Sequence, residues 1–343
     1  MTEIDTLLGP VDADEIGIVA MHEHLLYGLH GWQWAPEFNF DRALAFETIR
    51  DELIDFKEAG GSAIVDVSGA TNGRDVNFYA RLSERTGVHM IAATGFKNQK
   101  DSIPGHFLGR AYRATTDSAL HWLREIPGSF YPSHGESMEY LMFLLLNELT
   151  EGMAAPGMVR TKMKASLVRT GSGWDDISHL EDFSLRGAAV AAVKCGKFVL
   201  LEGINQVARQ LEIMAEYDVP ANRIIIGNCD DGRAIDPDRD IELAKKGHFV
   251  AYDHVGWEGD SSEQAISDDQ RVEMVKNIID AGLAERLILS SSAIGYALGG
   301  TASPQSLSYL LKNFIPRLQQ AGVGDDAINT ILVSNPKTLL TGV

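Results

Sequence analysis

Eight short runs of β-branched and apolar residues recur along this chain, and stretches with helical periodicity separate them. Strands that alternate with helices predict a parallel sheet built from βα units, and eight such strands are the number that closes a barrel. The alternative is an open doubly wound sheet, but the glycine-rich phosphate loop expected after its first strand is missing from the sequence. We therefore predict an α/β fold of the (β/α)8 TIM barrel class. The predicted strands cover residues 17–24, 62–68, 88–95, 162–168, 197–203, 223–228, 248–254 and 286–292.

The length of the chain and its predicted helices fit one domain. Residues 41–59 place apolar side chains from Leu44 to Phe56 at the spacing of a helix that covers a strand. The chain has 343 residues and is 45% hydrophobic, which is enough for one large core, and no shift of composition marks a second domain. We predict a single barrel over residues 1–343, with a long insertion at about residues 96–137 over the carboxyl ends of the strands.

The charge of the chain excludes several classes of partner. The formal net charge is −18 at pH 7, and the basic residues are scattered, so the chain would repel a phosphate backbone or an anionic membrane. No apolar run approaches the ~20 residues that a membrane span needs, and the N-terminus does not resemble a secretory leader. Cys195 and Cys229 lie far apart, which predicts buried thiols rather than a disulfide. We expect a cytoplasmic protein that binds neither nucleic acid nor membrane.

The first predicted strand ends in a pair of histidines. Side chains two apart in a strand share a face, so His22 and His24 would both point into the mouth of the barrel. Two imidazoles in this arrangement are typical of a metal site. The alternative is a pair of core or surface histidines, but their position at a carboxyl strand end favours the functional interpretation.

Several motifs in order along the chain resemble the phosphotriesterase family of the amidohydrolase superfamily. The resemblance covers almost the whole chain, and motifs that agree in order are more specific than any one of them. The motifs are LLGPVDADEIGIVAMHEHLL, IVDVSGATNGRDV, AATGF, GMVRTKMK, IIIGNCDD, YDHVGWEGD, FIPRLQQAG and ILVSNPKTLL.

The resemblance implies a binuclear divalent metal site, usually zinc, that activates a hydroxide. In the family the ligands are the histidine pair, a carboxylated lysine, two further histidines and an aspartate. The histidine pair corresponds to His22 and His24, and GMVRTKMK places the lysine at Lys164, with Lys162 on the same strand face.

The other ligand positions hold different residues. Glu202 and Asn228 stand where the family has histidines, and Ser292 stands where it has the aspartate. Amide and hydroxyl oxygens bind zinc more weakly than imidazole or carboxylate, so we do not expect an ordinary binuclear site. One hypothesis is a single zinc ion held by His22, His24, Lys164 and Glu202. The other is an ion pair between Glu202 and Lys164 without metal.

The resemblance also implies a proton relay beside the metal. Its positions here are Ser292, His254 and Asp231, which predicts a serine nucleophile with a histidine base that an aspartate orients. The alternative is that Ser292 is a small residue tolerated at a strand end. Asp230 and Asp253 neighbour the relay and are further candidates for orienting or base roles; otherwise they form structural hydrogen bonds at strand ends.

Aromatic residues in the βα loops could line the substrate pocket. Phe96, Trp174, Trp257 and Tyr296, together with Asn228, predict a small, largely neutral organic substrate. Exposed tryptophans serve equally well at an interface between two copies of the chain, and the family resemblance implies a homodimer.

The sequence predicts a hydrolase that cleaves an ester, lactone, amide or phosphoester bond. Hydrolysis is compatible with either a metal-bound hydroxide or Ser292 as the attacking group. The alternative is a metal-independent lyase, isomerase or cyclase that uses His254, Glu202 and Lys164 as acids and bases. A third hypothesis is a barrel that binds ligands without catalysis.

Overall fold

The computed structural model describes residues 2–34, 40–103, 134–155, 159–258, 265–299 and 305–342, without the side chains of residues 134–137. The predicted insertion at residues 96–137 lies largely outside the described residues. No helix in the described ranges is both long and apolar enough to cross a membrane.

Nine parallel strands form one curled sheet. Its hydrogen-bonded order is β12-β11-β10-β9-β8-β5-β4-β3-β13. These strands are β3 (Ile18–Tyr27), β4 (Gly61–Asp66), β5 (His89–Gly95), β8 (Leu167–Gly171), β9 (Phe198–Glu202), β10 (Ile224–Ile226), β11 (Phe249–Tyr252), β12 (Leu287–Leu289) and β13 (Ile294–Ala297). Two antiparallel pairs lie outside this sheet, namely β1 (Glu3–Thr6) with β2 (Gly9–Asp12), and β6 (Ala154–Ala155) with β7 (Val159–Arg160).

The eighth position of the barrel is an interrupted strand made of β12 and β13. β12 pairs with β11, and β13 pairs with β3, so the segment between them closes the sheet on itself. In that segment the amide of Ser292 donates to the carbonyl of His22 at 3.0 Å, and the amide of His24 donates to Ala293 at 2.9 Å. The predicted (β/α)8 barrel is confirmed, with its eighth strand in two pieces.

Helices follow most strands and cover the barrel. The capping box of Ser178 and Glu181, in which each side chain accepts from the other residue's amide, fixes where one of them begins. The helices are α1 (Arg42–Glu58), α2 (Val76–Thr86), α3 (His134–Thr150), α4 (His179–Cys195), α5 (Val207–Glu216), α6 (Pro237–Lys245), α7 (Asp268–Asp280), α8 (Ile315–Gln320), α9 (Asp325–Asn329) and α10 (Asn335–Thr341).

Side chains along the barrel strands alternate between two apolar layers. On β4, Ala63 and Val65 fill the inside of the barrel, whereas Ile64 packs in the layer between strands and helices. On β5, Ile91 points inward and Met90 outward in the same way. The inside of the barrel is therefore packed with side chains, and the strand ends are left for function.

The prediction for the fourth barrel strand was wrong by several residues. Residues 162–168 were predicted, but β8 spans Leu167–Gly171. Lys162 and Lys164 are exposed and precede the strand, and continuous burial begins only at Ala165. The physical reason is that a strand buried on both faces takes apolar side chains or, as with Arg169, a charge paired with a buried carboxylate, and the two exposed lysines are neither.

Candidate active site at the carboxyl ends of the barrel strands

A cavity of about 770 Å³ opens where five barrel strands end. Its volume is that of a pocket for a small molecule. Residues that follow β5, β8, β9, β10 and β11 all contribute to its walls. They include Lys97, Lys100, Ser172, Trp174, Gly203, Asn228, Asp231, Arg233 and His254.

A buried ion cluster lies beside this cavity. Arg169 on β8 contacts both carboxylate oxygens of Glu202 at the end of β9, with 3.0 Å between Nη2 and Oε1. Both side chains are 1% exposed, and Nη1 of Arg169 also donates to the carbonyl of Val67 at 2.7 Å. Lys97 places Nζ 3.7 Å from Glu202 Oε1. Burial alone would raise the pKa of Glu202, but the charges of Arg169 and Lys97 outweigh it and hold that pKa well below its usual range.

The predicted histidine pair lies next to this cluster. The register of β3 against β4 shifts between Ala20 and Glu23, an interval that contains His22, and the two rings lie 5.6 Å apart between centroids. His22 Nε2 is 4.0 Å from Glu202 Oε1. Its Nδ1 is 2.8 Å from Asp253 Oδ2, although the two atoms are not aligned for a hydrogen bond. His24 Nδ1 pairs with the hydroxyl of Ser68 at 3.0 Å, and burial, with the charge of Arg169, lowers the pKa of His24, so the ring is neutral.

His254 and Asp230 form a second polar group that faces the same cavity. His254 Nδ1 lies 3.3 Å from Asp230 Oδ1, so Nε2 is the nitrogen available to a water molecule or substrate. Asp230 also accepts from Arg271 Nε at 2.7 Å and from the amides of Asp253 and His254, at 3.1 Å each.

The pKa values of this pair shift in opposite directions. Burial would lower the pKa of His254, but the hydrogen bond and charge of Asp230 raise it above its ordinary value. Burial would raise the pKa of Asp230, but His254 and Arg271 outweigh it and lower that pKa. The carboxylate is therefore ionised, and the imidazole is a stronger base than a free histidine.

The predicted relay of Ser292, His254 and Asp231 is not assembled. Asp231 instead binds Arg233, with 2.7 Å between Oδ2 and Nη2. Among the described residues, the buried Ser292 hydroxyl has no hydrogen-bond partner, and its backbone has a φ of 44°. The aspartate that orients His254 is Asp230, one residue before the predicted Asp231. Asp230 is fully buried beside His254, whereas Asp231 lies at the cavity wall.

The predicted site around Lys164 is also corrected. Lys164 is exposed before β8, so it is neither a metal ligand nor the ion-pair partner of Glu202. Arg169, two residues into the true strand, occupies the position that faces Glu202. An ion pair at Glu202 was one of the two hypotheses, and Glu202 forms such a pair with a different cation, Arg169.

A divalent ion does not fit among His22, His24 and Glu202 as these residues are arranged. A guanidinium stays protonated and offers no lone pair to a metal, and both oxygens of Glu202 already bind Arg169. A second cluster of residues that can bind metals consists of Asp230, Asp253 and His254, whose ligand atoms lie within 4.8 Å of one another. There, the oxygens of Asp230 already accept from Arg271 and from two amides.

The predicted pocket residues divide into two sets. Asn228 and Trp174 line the cavity, and the guanidinium of Arg233 lies 3.8 Å from the centroid of the Trp174 ring. Phe96, by contrast, is buried in an apolar cluster below the loops.

The other two aromatic residues also face the protein. Trp257 Nε1 donates to the carbonyl of Ser291 at 2.7 Å, and Tyr296 packs near Phe40 with 6.0 Å between ring centroids. The expected aromatic, apolar lining is therefore wrong for the described part of the cavity, whose walls are mostly polar and charged.

Two residues of the site were missed from the sequence. Arg169 lies in the run SLVRTG, where a charged residue inside an otherwise uncharged strand is itself a signal of a buried ion pair. Lys97 directly follows the motif AATGF at the end of β5, a position where a barrel places functional residues.

Comparisons with known proteins find likeness along the whole chain. The sequence model described as the phosphotriesterase family matches residues 2–126 and 129–340. The phosphotriesterase homology protein of Mycobacterium tuberculosis is 26% identical over 99% of this chain and 98% of its own. The N-acetyltaurine hydrolase of Xenopus tropicalis is 24% identical over the same shares. A solved structure of an organophosphorus hydrolase from Deinococcus radiodurans superposes with a TM-score of 0.83 at 24% identity, covering 99% of this chain and 97% of that one.

Proposed function

Since this chain belongs to the phosphotriesterase family, we propose that it hydrolyses its substrate with His254 as the base and without a divalent metal ion. One observation carries the proposal. His254, held by Asp230, faces the cavity, while Glu202 beside it is already bound by Arg169 and Lys97. Within the part of the chain that the structure describes, the site thus has a base for water and no free ligand set of the family's kind.

The family resemblance and the hydrolase class predicted from the sequence are confirmed, since relatives that match nearly the whole chain are named as hydrolases. The substrate and the mechanism are proposals. A water molecule gives a proton to His254 Nε2 as its oxygen adds to the carbonyl carbon of the substrate. Asp230 holds Nδ1 and stabilises the imidazolium that forms, and His254 then returns the proton to the leaving group.

Water, rather than a serine, is the proposed nucleophile. The hydroxyl of Ser292 has no hydrogen bond to a base among the described residues, so nothing there would take its proton. The proposed substrate is a small ester, lactone or amide with polar substituents. The cavity volume and its charged walls favour such a molecule, and the name of the N-acetyltaurine hydrolase relative is consistent with it.

Metal content and activity on one preparation test the proposal. The protein is purified without added metal or chelator, its metals are measured by plasma mass spectrometry, and hydrolysis of p-nitrophenyl acetate, δ-valerolactone and N-acetyltaurine is assayed before and after chelation. We expect far less than about one metal per chain and activity that survives chelation. His254→Gln should lower kcat by about 10²–10⁴-fold.

Asp230→Asn gives a sharper readout of the same pair. A base must be neutral, so activity falls as pH drops through the pKa of His254, which Asp230 raises. Removing that charge lowers the pKa, and the acid limb of the kcat profile should move to lower pH. Zinc at about one equivalent, lost together with activity in His22→Ala, would contradict the proposal and support a metal hydrolase.

A further inference from the structure

Of the two cations in the buried cluster, Arg169 and Lys97, it is Lys97 that lines the cavity. Arg169 is 1% exposed and is not among the residues that line the cavity, whereas the Lys97 side chain is 31% exposed and forms part of the wall. Substrate in the cavity can therefore touch the ammonium of Lys97 but not the guanidinium behind it.

The charges around Lys97 leave it available for an anion. Glu202 is bound through both oxygens by Arg169 at contact distance, whereas Lys97 Nζ lies 3.7 Å from Oε1, beyond a short hydrogen bond. Two cations thus share one carboxylate. The group of Arg169, Lys97 and Glu202 carries one net positive charge. Lys97 is its member at the cavity wall, where the charge of Asp101 also acts on it. Glu202 with Arg169 sets the position of the ammonium from behind.

Lys97 and His254 lie on the walls of one cavity, after the barrel strands β5 and β11. A hydrolase needs a base for water and a positive group for the oxygen that becomes negative when water adds. We infer that Lys97 is that positive group and that Glu202 and Arg169 are positioning residues for it. This inference rests on the proposed hydrolytic function.

The step balances with water as the only co-reactant. The oxygen of water bonds to the carbonyl carbon, its proton goes to His254 Nε2, and the electron pair of the C=O bond moves to an oxygen that Lys97 Nζ contacts. Collapse of this tetrahedral anion re-forms C=O and breaks the bond to the leaving oxygen or nitrogen, which takes the proton from His254. The products are the acid and the alcohol or amine.

Three lysine variants test the inference. Lys97→Met removes the charge, Lys97→Arg keeps it, and Lys164→Met is the matched control because that lysine is exposed outside the site. We expect Lys97→Met to lower kcat on p-nitrophenyl acetate, a neutral ester, by about 10²–10³-fold with little change in KM. Lys97→Arg should recover part of this loss, and Lys164→Met should match the parent protein. Circular dichroism confirms that each variant is folded.

Binding of phenylphosphonate, a stable tetrahedral anion, is a second readout that needs no turnover. Isothermal titration calorimetry should show binding to the parent protein and to Lys97→Arg, and a loss of at least about tenfold in Lys97→Met. A rise in KM at constant kcat, equal behaviour of Lys97→Met and Lys164→Met, or no phosphonate binding by the parent protein would overturn the inference. Failure of the proposed function shows separately, as activity that depends on metal or survives His254→Gln.

Discussion

Glu202 illustrates how much a single residue depends on its charged neighbours. It is 1% exposed, and its negative charge is compensated by Arg169 and Lys97. A carboxylate buried without such partners would cost several kcal/mol or take up a proton. At this scale one cation on β8, Arg169, engages both oxygens of Glu202 and makes this position an ion pair.

Arg169→Met should therefore destabilise the fold more than a double variant that removes the charges of both Arg169 and Glu202. The single change leaves Glu202 with Lys97 alone, and we expect a loss of about 3–5 kcal/mol in the free energy of unfolding. The double variant Arg169→Met with Glu202→Leu should be more stable than the single variant, because no buried charge is left uncompensated. Urea denaturation measures both, and equal losses in the two variants would contradict this account.

Among the elements, the interrupted eighth strand depends on the residue between the two histidines. Glu23 on β3 accepts from the Ser290 hydroxyl at 2.8 Å and from the amides of Ser291 and Ala293, at 3.0 and 2.6 Å. These bonds add to the backbone hydrogen bonds that Ser292 and Ala293 make with β3. Burial nevertheless raises the pKa of Glu23 to about 7, since the side chain is wholly enclosed.

Glu23→Ala should loosen the closure of the barrel. Three buried donors lose their acceptor, and we expect a destabilisation of about 3 kcal/mol. Hydrogen exchange should accelerate at the amides of Ser291 and Ala293, which mass spectrometry of a peptide from this segment detects. Glu47→Ala, at an exposed position of α1, is the control and should change neither quantity. Unchanged exchange in Glu23→Ala would show that the segment is held by other contacts.

For the molecule as a whole, pH acts on several buried carboxyl groups at once. Burial raises the pKa values of Asp66 and Asp240 to about 6, with hydrogen bonds and, for Asp240, Arg239 partly offsetting it. Because these folded-state values exceed the ordinary 3.8, the two groups stabilise the fold fully below that value and lose this contribution as pH rises through about 6. The pKa values of Glu202 and Asp230 are lowered, so these two groups stabilise the fold at pH values above the ordinary carboxyl pKa and lose this contribution as pH falls.

We therefore expect the contribution of Asp66 and Asp240 to the free energy of unfolding to decrease from about pH 5 to about pH 8, while His24, whose pKa burial lowers, contributes in the opposite direction. The net charge of −18 acts in the same direction as the two aspartates through self-repulsion. Urea denaturation across this range compares the parent protein with Asp240→Asn, and the stability of the parent relative to the variant should decrease as pH rises through about 6. A difference between the two proteins that does not change with pH would contradict a raised pKa of Asp240.

The sequence by itself determined the barrel, since the spacing of buried strands and covering helices is a local property of hydrophobic pattern. It also determined that Glu202, Asn228, Asp230 and His254 stand at or just after carboxyl strand ends, whereas His22 and His24 lie within β3, which continues to Tyr27. Tertiary structure alone decided which side chains meet. Arg169 rather than Lys164 faces Glu202, and Asp230 rather than Asp231 holds His254.

The physical reason is register. A shift of one residue along a strand reverses the face of every side chain, and a shift of a few residues removes a side chain from the barrel altogether. Local pattern leaves such shifts open, because several neighbouring registers bury similar apolar area. The packed barrel removes the ambiguity, because the register that β8 adopts keeps both lysines in solvent and brings the charge of Arg169 to Glu202.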